Sequence, residues 1–154
     1  MNIRFETMPN YRIAYVRQCG PYGPEHARAM DQLKKWASSN HLLNESAILL
    51  GIPQDNPQIT LPEKCRYDAC IVLTNDVPAD GSIHFGELPG GDYMIRTIPH
   101  TADAIQIAWS EIISAVHQQG YEIENKPLFE RYSGEMLSTE KCELCVPVRP
   151  VSHT

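Results

Sequence analysis

Two segments with helical apolar spacing sit at matching places in this chain, each flanked by the same series of strand signals. In residues 25–40, Ala29, Met30, Leu33, Trp36 and Ala37 recur three or four apart. In residues 102–119, Ile105, Ala108, Trp109, Ile112, Ile113 and Val116 do the same. That spacing gathers apolar side chains on one helical face. Before the first helix lies a β-rich run at 12–17, closed by the Gly/Pro cluster 19–24, in which Pro24 suits a first helical turn. After it come a short apolar strand at 48–52, a Pro-rich loop at 54–64 and a strand at 67–74. The order then recurs. Gly90-Gly91 precede a strand at 92–98, Pro99 and Thr101 lead into the second helix, and Gly120 is placed to stop it. Residues 128–132 and 143–148 supply the final strand pair.

The halves also align locally. Asp68-Ala69-Cys70-Ile71-Val72-Leu73 matches Glu143-Leu144-Cys145-Val146-Pro147-Val148, an acid opening an apolar strand in both. The expectation is one α+β domain over 1–154, a duplicated strand–helix–strand–strand unit with pseudo-two-fold symmetry and pseudo-repeats at about 1–77 and 84–150. One helix per unit cannot cover both faces of its sheet. An antiparallel sheet with both helices on one face follows, with a ligand cleft expected between the halves.

The chain length of 154 residues fits one domain. The formal net charge of -6 opposes bulk attraction to nucleic acid or anionic membrane. Neither is expected as a direct partner. No run approaches the ~18–20 apolar residues of a membrane span. The N-terminal residues show no basic region followed by an apolar stretch, so a cytoplasmic location is expected.

The five cysteines are Cys19, Cys65, Cys70, Cys142 and Cys145. Cys142 and Cys145 form a C-x-x-C, but within a strand and without a second such pair, which suits packing thiols better than a zinc or redox site. His26, His41, His84, His100, His117 and His153 show no ligand spacing, so neither metal nor cofactor is expected. There is no nucleophile elbow and no phosphate-cradling glycine loop.

Four landmarks carry a family resemblance across essentially the whole chain. They are Gly20-Pro21-Tyr22 with Leu33-x-x-Trp36; Arg66-Tyr67-Asp68-Ala69-Cys70-Ile71; Gly90-Gly91-Asp92-Tyr93; and Lys126-Pro127-Leu128-Phe129-Glu130-Arg131-Tyr132 followed by the acidic strand from Glu143 to Val148. The chain resembles the GyrI-like domain, a small-molecule-binding fold shared with effector-binding domains of AraC-type and MerR-type drug-responsive regulators. The resemblance implies drug sensing, sequestration of toxic compounds, modulation of DNA gyrase, or hydrolysis of cyclopropane-bearing DNA-alkylating compounds. Both strong helices belong to the repeat, leaving no helix-turn-helix segment. The expectation is a standalone member, with a fragment of a longer regulator as the alternative.

Glu130 is the leading site candidate. Strand parity puts Glu130 and Tyr132 on one face, with Phe129 and Arg131 on the other. The resemblance turns that first face toward the ligand cleft. A carboxylate among aromatic rings would attract a cation, or have its pKa raised toward acid–base use. The resemblance also sets Trp109 at the cleft, although its helical spacing equally suits the core. Trp36 reads as core. Tyr67 and Tyr132 would line the cleft or simply pack, and Tyr22 would gate the cleft or cap the first helix.

Three functions follow. The first is capture of a planar or cationic organic ligand by Glu130, Trp109, Tyr67, Tyr132 and Tyr22. The second is hydrolysis of a cyclopropane-bearing genotoxin, with Glu130 and Tyr132 as the catalytic pair. The third is protein interaction, with DNA gyrase or a regulatory DNA-binding protein as partner.

Overall fold

A computed structural model describes residues 3–23, 25–56, 58–78, 81–133 and 140–151. Pro24 and His153 lie outside the described residues. The elements in chain order are β1 (Ile3–Met8), β2 (Tyr11–Cys19), α1 (Glu25–Ser39), β3 (Ile48–Pro53), a 3-10 turn (Pro62–Lys64), β4 (Arg66–Leu73), β5 (His84–Leu88), β6 (Gly91–Pro99), α2 (Ala102–Gln118), β7 (Tyr121–Ile123), β8 (Phe129–Ser133) and β9 (Lys141–Pro150).

Both helices begin and end where the local chemistry dictates. Gly20 and Gly23 have φ of 143° and 149° and turn the chain into α1, where Glu25 lies in the first turn, favourable to the positive end of the helix dipole. Thr101 caps α2, its hydroxyl accepting a hydrogen bond from the Ala104 N–H at 3.2 Å. Gly120, at φ 82°, follows its last turn. The expected face of α1 is the one observed, with Ala29, Met30, Leu33, Trp36 and Ala37 buried; on α2, Ala108, Ile112 and Val116 are buried as expected, Ala115 joins them, and Ile105, Trp109 and Ile113 are only partly buried against the same core.

All strand pairings are antiparallel, and the sheet order is β1-β6-β9-β8-β3-β4-β2-β5, with β7 against β9. The fold is α+β. The expected order of strand, helix, strand, strand is present in 11–73 and in 91–150, the second with β7 inserted. Sequence reading passed over β1, β5 and β7. The first two explain the shape. β1 leads into β2 through only Pro9 and Asn10, yet pairs with β6 at the opposite end of the sheet; β5 leads into β6 through Pro89 and Gly90, yet pairs with β2. Three Cα steps reach about 11 Å, whereas six strand spacings in a flat sheet span about 29 Å. The sheet must therefore curl until its ends nearly meet. They touch at the two crossings: the Gly90 N–H donates to Asn10 Oδ1 at 2.6 Å, and a Cβ at Gly90 would overlap the Met8 carbonyl.

The curl produces two cores. One joins both helices to one face of the sheet, and includes Leu33, Trp36 and Ile112 with Leu49, Ile71, Met94, Tyr132 and Leu144. The other contains no helical residue and fills the opposite face with Met8, Leu50, Ile52, Leu88, Tyr93 and Phe129 among others. Both helices thus lie on one face. The helix-free side also holds two buried acids with arginine partners. Arg17 donates to Asp68 at 2.7 and 2.8 Å. Arg131 donates to Glu143 at 3.0 Å and to Glu6 at 2.7 and 3.0 Å, while Arg4 also donates to Glu143. Cys142 and Cys145 belong to opposite cores, since a spacing of three along a strand points them to opposite faces. Among the described residues, no helix is long and apolar enough to cross a membrane.

Candidate functional site

The sheet's central seam is the β3–β8 pair, where Leu49 faces Tyr132 and Gly51 faces Glu130. Parity on β8 places Phe129 in the helix-free core and Tyr132 in the helix-covered one, so Glu130 shares the helical face. Trp109 of α2 packs against the helix-covered core and its indole donates a hydrogen bond to Glu130. Burial raises the Glu130 pKa, with that hydrogen bond opposing it.

Two phenols complete the cluster. Tyr67 on β4 and Tyr132 are 6% and 4% exposed, and the Tyr132 hydroxyl donates to the Tyr67 hydroxyl. Burial drives both pKa values up, and the nearby Glu130 charge adds to this for each. The tyrosines therefore remain protonated donors throughout the neutral range. Cys142 of β9 faces the same group, its thiol pushed up to about 12 by burial and then by Glu130.

Three neighbours escaped sequence reading. The His26 ring, in the first turn of α1, stacks on Tyr67 with centroids 3.8 Å apart and planes 5° from parallel. Burial lowers its pKa, so the imidazole is neutral near pH 7. Its signal was present: His26, Ala29, Met30 and Leu33 are spaced 0, 3, 4 and 7, the first positions of the apolar face of α1. His100 lies 5.3 Å from the Tyr132 ring. Gly51 is the third. A Cβ there would overlap the Tyr67 hydroxyl and sit 3.2 Å from the ring carbon bearing it. The bare backbone of β3 is what allows that phenol its depth.

Glu130, Trp109, Tyr67 and Tyr132 thus fall in one connected cluster. Tyr22 joins it only through His26, edge-on at 5.1 Å. Its hydroxyl accepts from the Asp55 N–H at 3.0 Å and donates to the Arg66 carbonyl at 2.8 Å, which ties the loop before α1 to the loop before β4. Two surface hollows of about 190 and 320 Å³ lie away from the cluster, one beside His41 and Thr74, the other beside Arg12 and Phe85. Arg12 and Asp76 in the second pair with each other in open solvent, a weak interaction. The partly buried Glu130, without an arginine, lies at the seam instead.

The GyrI-like small-molecule-binding domain matches residues 1–149. The chain belongs to the GyrI-like family. It is 38% identical over 150 residues to YosT, a SPbeta prophage-derived protein of Bacillus subtilis (strain 168) named as a candidate transcriptional regulator, covering 97% of this chain and 100% of YosT. A protein of Pectobacterium carotovorum subsp. carotovorum (strain PC1) named DNA gyrase inhibitor is 28% identical, with 79% of each chain covered. Among solved structures, the EcmrR C-terminal domain matches with a TM-score of 0.78 at 15% identity, over 97% of this chain and 98% of that one. Against EcmrR in its complex with DNA, this GyrI-like chain spans 58% of the EcmrR length. SAV2435 bound to tetraphenylphosphonium matches with a TM-score of 0.59 at 18% identity, over 97% and 94% of the two chains. At these identities the structures show a shared fold, and the family match makes this a small-molecule-binding domain.

Proposed function

We propose that the domain captures a planar or cationic organic compound at the Glu130 cluster, serving sensing or sequestration. One contrast carries the reading. The buried acids Asp68 and Glu143 each have an arginine, whereas among the described residues no ion pair reaches Glu130, which has only an indole donor. Glu130 is partly buried; a carboxylate drawn partly out of water without a cation is disfavoured, and a bound organic cation would supply the missing charge. The rings of Trp109, Tyr67 and Tyr132 would add cation–π attraction of about 0.5–2 kcal/mol each where desolvated. The fold shared with SAV2435, whose structure holds tetraphenylphosphonium, supports a lipophilic cation. The fold shared with EcmrR and the likeness to YosT support a sensing role.

The test is titration of tetraphenylphosphonium and ethidium into the protein and into Glu130→Gln, read by tryptophan fluorescence and thermal shift. A large loss of affinity with retained folding supports the reading; equal affinity removes Glu130 from the site. Hydrolysis is a second reading of the same cluster, favoured by the raised Glu130 pKa and the Tyr132–Tyr67 hydrogen bond. There Glu130 would take a proton from water and a phenol would stabilise a leaving oxygen. Product analysis on each bound compound separates the two.

A further inference from the structure

His26 stands where a flat ligand would stack. Its imidazole covers the Tyr67 ring at 3.8 Å and within 5° of parallel, the geometry in which one planar ring system packs on another. Tyr67 is only 6% exposed, so nothing from solvent reaches that face while His26 occupies it. The arrangement is also imperfect. Among the described residues, His26 Nε2 is buried with no hydrogen-bond partner, and a buried polar atom without a partner disfavours the packed state.

The backbone at this point is the part of α1 best able to yield. His26 is the second residue of the helix, in the turn whose N–H groups lack intrahelical acceptors. Its own N–H is held by the carbonyl of Gly23 at 3.0 Å, and Gly23 has φ 149°, where glycine alone is at ease. Tyr22, which touches the other side of His26 edge-on, is anchored separately to the loop before β4. His26 can therefore leave without releasing that anchor.

Given the Glu130 cluster as the ligand site, we infer that His26 is a displaceable occupant of that site. Its ring takes the ligand's place on Tyr67 in the free protein, and a planar ligand enters by replacing it. Residue 26 then determines how readily flat compounds are admitted.

The experiment measures ethidium affinity of the wild type, His26→Ala and His26→Phe, with His26→Tyr67 ring NOEs recorded before and at ethidium saturation. His26→Ala removes the competing stack and should bind about three- to tenfold tighter, the fold-change an aromatic stack corresponds to. His26→Phe stacks without a stranded nitrogen and should bind more weakly than wild type. The wild-type NOE should vanish at saturation. Weaker binding by His26→Ala, or an NOE that survives saturation, would overturn the proposal. Glu130→Gln is measured in parallel. Unchanged affinity there with the order Ala, His, Phe intact would remove the charge role of Glu130 while leaving His26 displaced. If the wild type binds no ethidium, binding gained by His26→Ala supports the inference, and continued silence overturns it.

Discussion

Gly51 and Glu130 are partners across the β3–β8 seam, and the missing side chain of the one is what lets the Tyr67 hydroxyl lie near the carboxylate of the other. Gly51→Ala forces an overlap with a buried phenol that has nowhere to go. The expected destabilisation is about 1–3 kcal/mol, the usual cost of overpacking. Tyr67→Phe in the same chain removes the overlapping oxygen and should recover most of it. Urea denaturation of the two single variants and the double variant checks this; additive losses would mean that Gly51 acts independently of Tyr67.

Glu130→Gln should separate stability from binding. Because burial raises the folded-state pKa of Glu130, the unfolded chain loses this proton first as pH rises, and folding is penalised above that point. The variant should melt higher than wild type at pH 7.5, with the difference closing as pH falls below the ordinary carboxylate range. In the same variant, affinity for a captured cation should fall by roughly 2–5 kcal/mol. Melting curves across pH 4–8 and a titration with tetraphenylphosphonium read both.

The arginine network on the helix-free side should behave oppositely. The hydrogen bond from Arg131 lowers the Glu6 pKa, so its contribution is present above the unfolded carboxylate pKa and fades as pH falls through the lower folded value. Arg131→Met removes one of the two arginines that hold Glu143, which is 4% exposed, and leaves Arg4 as the other. Leaving a buried charge with no partner costs about 3–5 kcal/mol, and the retained Arg4 keeps the loss below that. Arg131→Met should therefore be less stable at pH 7, and should lose the wild-type dependence on Glu6 at acid pH. Denaturation midpoints of both proteins between pH 3 and 7 test it.

Of the five cysteines, Cys19 is exposed and the other four are buried. The Cys142 thiol is pushed up to about 12, and burial raises those of Cys70 and Cys145. A native thiol titration with a disulfide reagent should show one fast-reacting group, the remainder appearing only in denaturant. A second fast thiol would contradict the burial of Cys65, Cys70, Cys142 or Cys145.

Both helices and the central strands were legible because their apolar residues keep a local period: Leu33 and Trp36 on α1, Ile112 and Val116 on α2, and parity alone put Tyr132 with one core and Phe129 with the other. β1 and β5 were not, since their partners are remote. Ile3 pairs with Arg96, and Tyr15 with His84. The candidate site was half legible. Glu130, Trp109, Tyr67 and Tyr132 meet in one cluster, but the stack of His26 on Tyr67 depends on how α1 lies over β4, which no local pattern encodes. Gly51 was invisible for a related reason: its importance is a clearance beside a side chain two strands' worth of sequence away.

The exchanged outer strands have a consequence for how this chain is made. β1 leaves the ribosome first, yet the residues it pairs with, as far on as Arg96, follow much later. At ~5–20 residues per second, the first strand waits on the order of 5–20 seconds for its partner. During that time β2, α1, β3 and β4 also lack β5, the strand that closes their edge. A nascent chain halted before β6 is thus an open sheet in which β1 still lacks β6 and β3 still lacks β8.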